Sequence, residues 1–290
     1  MANNITLAKN YTDLLDEVYK NASVTADLTS DTTMMRAGAN AKEILYPQIS
    51  VSGLGDYDRN SGYTNGSVNV VWKTATFNYD RGTKISVDTM DDQETFNIAF
   101  GMAGATLQRE KVAPEADAFV FATLAGLTGI SKATPATYTN ASDFLSALIE
   151  AKNKMDEDEV PIDNRILYAT PTLLNSVMSL DTTKSREILD TFMVKKAVPQ
   201  SRFYTVIELL DGKSSGEELG HYKKAATGKD INFMIVHKPA IIKFDKHIAS
   251  DIIAPENNPN ADSYISKYRK YGLVDVYKNK VAGIYLSHKA

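Results

Sequence analysis

The chain contains no cysteine in its 290 residues. Disulfide frameworks and thiolate metal sites are therefore excluded. Histidine is scarce: His221, His237, His247 and His288 are widely spaced, and no H-E-x-x-H helix exists. No run of about 18 apolar residues is present, so no membrane-spanning helix is expected. The opening MANNITLAKNYTDLLDEVY lacks the apolar core of a secretory signal, which points to a protein made in a cytoplasm. There is no basic tail either. Thirty-two Lys and Arg stand against 36 Asp and Glu, a net charge of −4. Proteins that grip nucleic acid by its phosphates usually carry a basic face or tail. If this chain meets DNA, the expectation is that it contains the DNA rather than binds it. No internal repeat of 20 to 50 residues is found.

What is present suits a folded protein. An apolar fraction of 43% can build a core, and charges of both signs are dispersed rather than massed. The length fits one large domain or two modest ones. Residues 1–33 are polar, with one short helical face on Tyr11, Leu14, Leu15, Val18 and Tyr19. Alone, such a helix is marginal. Residues 42–51 form a strand-like run in which Pro47 argues for an edge position. Residues 53–66 are rich in Gly, Asp, Asn and Ser and read as a long turn. Residues 67–79 alternate, with Val71, Ala75, Phe77 and Tyr79 on one face and Val68, Val70, Trp72, Thr74 and Thr76 on the other. An isolated two-stranded ribbon is barely stable in water, so this one needs cover from its own domain or from another subunit.

Residues 89–127 read as a long helix. Phe96, Phe100, Ala103 and Leu107 keep the helical spacing, and Ala116, Phe119, Val120 and Leu124 continue an apolar face. Pro114 either kinks it or opens a second helix. A continuous element would run roughly 55 Å at 1.5 Å per residue, a strut rather than a packed helix. Residues 128–140 form a Gly/Ser/Thr/Pro loop and a natural subdomain boundary. A helix over 142–155, with Phe144, Leu145, Leu148 and Ile149 inward, precedes a buried strand at 166–169. Thr170 can cap the next helix, and Pro171 suits its first turn. Residues 188–194 fit either a helix or a strand. Residues 203–210 are strand-like, 211–220 a loop, and short apolar strands follow to the end.

Few groups promise chemistry. Gly212-Lys213-Ser214-Ser215-Gly216 fits the G-x-S-x-G nucleophile elbow, with Asp230 and His237 following in hydrolase order. An elbow requires an apolar helix directly after it, yet Glu217, Glu218, Leu219 and Gly220 follow. A glycine-serine surface loop is the plainer reading, and a serine hydrolase using Ser214 the main rival class. Asp56-x-Asp58-x-Asn60 opens like a calcium loop, but Ser61 and Ser67 replace the required Gly and Glu. A turn whose Asx side chains bond their own backbone explains it. The acidic run 156–159 reads as a solvated helix end. Gly228-Lys229 lacks the Ser/Thr and upstream Gly of a phosphate loop, and Gly53-x-Gly55 lacks its third Gly at Asp58. No catalytic residue, cofactor or metal is expected.

The last quarter carries the strongest pointer. INFMIVHKPAIIKFDKH, IIAPENNPNADSY and YRKYGLVDVYKNKVAGIYLSHKA set strand-like runs between Pro/Asn/Asp clusters. This segment, with the element order from residue 30 onward and the stretch Val198-Pro199-Gln200-Ser201-Arg202-Phe203-Tyr204-Thr205, resembles tailed-phage major capsid proteins of the Hong Kong 97-like fold. The resemblance implies an α+β chain with five parts. These are an arm (1–33), an extended β-ribbon loop with the start of a peripheral domain (34–88), a spine helix (89–127), an axial domain (128–237) and the rest of the peripheral domain (238–290). It implies a homo-oligomer of pentamers and hexamers that encloses double-stranded DNA in a virion without sequence-specific binding. It implies a portal and, since the chain has no room for an internal scaffold of about a hundred residues, a separate scaffolding protein or none at all. A cellular nanocompartment shell of the same fold is the alternative. Trp72, Phe77 and Tyr79 on the ribbon are the expected inter-subunit contacts.

Overall fold

The computed structural model describes residues 22–30, 35–38, 40, 42–94, 98–180 and 182–290. The expected helical face at residues 11–19 and the spine position Phe96 fall outside what is described, as does the side chain of Phe100. A two-residue strand β1 (Arg36–Ala37) precedes β2 (Glu43–Val51), β3 (Val68–Thr76) and β4 (Tyr79–Asp88). Helical backbone follows in α1 (Thr89–Glu94), α2 (Ile98–Leu107), a π-turn (Gln108–Val112) and α3 (Ala113–Gly126). Pro114 does sit in the first turn of α3, but no break precedes it: Val112 and Ala113 keep helical dihedrals. The wide π-turn is where the helix absorbs the donor that proline lacks.

Next come β5 (Ser131–Lys132), α4 (Ala141–Glu157), β6 (Arg165–Ala169), α5 (Pro171–Ser179), α6 (Thr183–Asp190) and β7 (Val194–Ala197). The ambiguous stretch 188–194 thus splits between a helix end and a strand start. Thr170 occupies the N-cap position of α5, but its side chain makes no capping bond. The strand-like reading of 203–210 shrinks to β8 (Ile207–Leu209), which pairs with β9 (Tyr222–Lys224). Then follow β10 (Ile231–His237), β11 (Ile241–Ile253), β12 (Ser263–Val276) and β13 (Ile284–His288).

Two sheets organise the body. One is mixed, in the order β5-β13-β10-β6-β7. Its three inner strands β13, β10 and β6 are mostly apolar because both faces are covered. Ile166, Tyr168, Met234, Val236, Ile284 and Leu286 meet Val120, Phe121 and Leu124 of α3. Their neighbours Leu167, Ala169, Phe233, Ile235 and Tyr285 meet Phe144, Leu148, Ala151 and Met155 of α4. The period of two along each strand sends alternate residues to the two layers. The other sheet, β11-β12-β4, is antiparallel, and Tyr268 packs it on Val112, Ala113 and Ala116.

Residues 238–290 do not stay together: β13 leaves β12 and pairs with β10 from Val236↔Ile284 to Ile231↔His288. The chain end closes the sheet assigned to residues 128–237. Short strand sequences such as IYLSH carry no record of their partner, which tertiary packing chooses.

Candidate assembly interface

β2 and β3 form a ribbon in one continuous register, from Glu43↔Thr76 to Val51↔Val68. Directly opposed residues share a face. One face therefore carries Ile44, Ala75 and Tyr46 near its base, where they are buried with Phe77, Ile242 and Leu273. The opposite face carries the pairs Pro47/Trp72, Ile49/Val70 and Val51/Val68. Ile49, Val51, Val68, Val70 and Trp72 are all exposed. The alternation that buries the root thus presents an apolar ladder to solvent further out. Among the described residues, β1 pairs only with Ile44 and Leu45, and none pairs with Pro47 on that edge.

The loop beyond the ladder adds Leu54, Tyr57 and Tyr63, all exposed, with the two tyrosine rings 4.9 Å apart and edge to face. Asp58 accepts from the Asn60 amide at 2.7 Å and, with Ser61, closes an Asx turn. Those hydrogen bonds hold its carboxyl below the ordinary range. No cluster of three metal-ligating side chains occurs among the described residues.

The three expected contact residues separate. Trp72 is 40% exposed, and its ring lies 4.8 Å under the Arg36 guanidinium. Phe77 is buried, stacked on Tyr271 with centroids 4.7 Å apart. Tyr79 is buried against Phe119 and donates to Glu115 at 3.2 Å. Alternation put Phe77 and Tyr79 on the same strand face as Ala75, and that face is the one the subunit covers itself. Ile49, Val51, Val68 and Val70 were missed, although pairing the two runs across the 53–66 turn would have aligned them.

The elements of the hydrolase reading stay apart. Ser214 is exposed, and its Oγ donates to Asp211 at 2.6 Å, whose amide-bonded carboxylate is held down to about 2. Asp230 is engaged by Lys224 at 2.7 Å and Lys289 at 3.1 Å. His237 is buried in the body sheet, and burial lowers its pKa. The acidic run at the end of α4 is likewise paired, Asp156 with Lys152 and Arg165 and Asp158 with Lys154.

No family model and no curated protein matches the chain. Solved structures do. A structure from Mycobacterium phage Che8 is 12% identical, with a TM-score of 0.58 over 91% of this chain and 90% of that one. The capsid structure of cyanophage P-SCSP1u is 13% identical, with a TM-score of 0.59 over 93% and 88%. The virus-like particle from Pyrococcus furiosus is 9% identical, with a TM-score of 0.62 over 96% and 98%. The ribbon, the long helical strut and the two sheets together are the Hong Kong 97-like fold of tailed-phage major capsid proteins.

Proposed function

We propose that this chain is a major capsid protein, a structural subunit that self-assembles through pentamers and hexamers into an icosahedral shell around double-stranded DNA. The observation that carries this reading is the exposed apolar ladder on the ribbon of a shell-type fold. An apolar strand face of this kind marks an interaction surface, and a second copy of the chain is its natural cover. Repeated heterologous contacts between identical subunits close into rings and shells. Each contact can be modest, because many act together around a closed ring. Trp72, at the inner end of the ladder, is the proposed anchor. The peripheral part would comprise the ribbon, the strut and β11-β12-β4, and the axial part the five-stranded sheet with α4 to α6. A net charge of −4 suits a lining that does not hold packaged DNA. A separate scaffolding protein, a portal and assembly in the host cytoplasm belong to the same proposal.

A second reading is a shell that encloses no viral genome. The likeness to the Pyrococcus furiosus virus-like particle, over nearly the whole of both chains, favours it. Portal and terminase genes beside this one would decide for the virion. Assembly itself is tested by negative-stain electron microscopy with light scattering on the purified protein. Closed shells, tubes or five- and six-membered rings are expected. A monomer that persists at high concentration, even with a neighbouring scaffold gene co-expressed, would overturn the proposal.

A further inference from the structure

One turn of α3 holds two buried carboxylates. Glu115 and Asp117 are two residues apart, about 200° around the helix, so they face opposite ways. Each grips a different extension of the molecule.

Glu115 holds the root of the ribbon. Arg81, on β4 four residues beyond Phe77, reaches it with Nε at 2.7 Å and Nη2 at 3.3 Å, and Tyr79 adds its hydroxyl at 3.2 Å. His221 stands beside it with Nδ1 at 3.8 Å, too long for a hydrogen bond. The His221 carbonyl accepts from Arg81 at 3.3 Å. His221 is non-glycine at φ 74°, a left-handed conformation that persists only where surroundings enforce it.

Asp117 is fully buried and holds the segment that leads to the N-terminus. It accepts from Ser23 Oγ at 2.7 Å, Val24 N at 2.9 Å, Thr25 N at 3.1 Å and Thr25 Oγ1 at 2.7 Å. Arg202 adds Nη1 at 3.1 Å and also bonds the Ala22 carbonyl at 3.0 Å. Lys196 bonds Val24 O, and the buried Lys243 bonds Thr25 O. Ser30 exchanges backbone and side-chain bonds with Ile241 and Lys243.

The two grips also meet away from the helix. Tyr222, next to His221, donates to the Ser201 carbonyl at 2.6 Å, next to Arg202. A closed ring results: Glu115, Arg81, His221–Tyr222, Ser201–Arg202, Asp117 and back through the helix turn. We propose that the Glu115–Asp117 turn is a coupling hub, through which a displacement of the ribbon root changes the hold on the N-terminal segment and the reverse. Coupling of this kind requires a contiguous set of packed and hydrogen-bonded groups, which the ring supplies. It is a property of the folded chain, whether or not that chain builds a shell.

Amide hydrogen exchange on the full chain tests it, with light scattering confirming the same assembly state for every variant. Arg81→Gln weakens the Glu115 grip without touching residues 22–30. Its expected effect is faster exchange at the Val24 and Thr25 amides, by roughly tenfold, since each donates to Asp117. Asp117→Asn should reciprocally accelerate exchange at 79–83 and 221–222, because thermodynamic coupling acts equally in both directions. If Asp117→Asn fails to fold, Thr25→Val removes one donor and serves in its place. Effects confined to the mutated side, in both directions, would overturn the hub.

Discussion

β10 and β3 are built from the same kinds of residue and meet opposite fates. Ile231–His237 is buried at every position, while Val68–Thr76 is buried only at Ala75. β10 lies between two strands and two helical layers, whereas β3 has one long partner and, past its root, no layer of described residues over its outer face. Strand-forming residues therefore supply two different things here. In the body they make a core. In the ribbon they make an exposed apolar surface. The lesson is that β propensity and alternation report a strand and its two faces, and burial must be argued from what lies over each face.

Breaking the body should give the largest effect. Phe233 is fully buried among Phe144, Tyr138 and Tyr285. Phe233→Ala should cost about 3–5 kcal/mol of subunit stability, measured by urea unfolding. A cost under about 1 kcal/mol would show that the two-layer core is not what holds the sheet.

A pH effect comes next, at the seam between body and N-terminal segment. Burial, with Lys270 nearby, lowers the pKa of Lys243 from 10.5 to about 8. Between those values the unfolded chain binds the proton and the folded chain does not, so this residue makes stability rise with pH. Relative to Lys243→Met, wild type should gain up to about 1.4 kcal/mol per pH unit from about pH 8 towards 10. A flat or falling difference would contradict the burial of this ammonium.

The ribbon should respond least in stability and most in association. Trp72→Ala loses a partly exposed ring and its cation–π contact with Arg36, worth about 0.5–1 kcal/mol at such a site. Melting should barely move while shells fail to form or become fragile. Normal shells would remove Trp72 from the interface. Smallest of all is Ser214→Ala, which should alter neither melting nor assembly, and a fluorophosphonate probe should leave Ser214 unlabelled. Labelling at Ser214 would revive the hydrolase reading.

Much of this was legible in the sequence, for physical reasons. α4 was visible because Phe144, Leu145 and Leu148 repeat at helical spacing. The 53–66 turn was visible because Gly, Asn and Asp supply the conformations turns require. Three features were hidden. β13 joins β10 some fifty residues back, and pairing over that distance leaves no local mark. Phe77 and Tyr79 shared a strand face, but only the packed structure shows that face turned inward. Glu115 and Asp117 drew no reading, because acids in a first helical turn are ordinary. Their signal lay in their neighbours, since Ala113, Ala116, Ala118 and Phe119 leave that turn no polar face.

The comparison rests on the ribbon's outer face being a contact between copies. Sedimentation velocity of wild type beside the triple variant Ile49→Ser, Val70→Ser, Trp72→Ala, with melting recorded on the same samples, tests this most directly. The account predicts large closed assemblies for wild type and small, normally melting species for the variant. A variant that assembles as fully as wild type would contradict it.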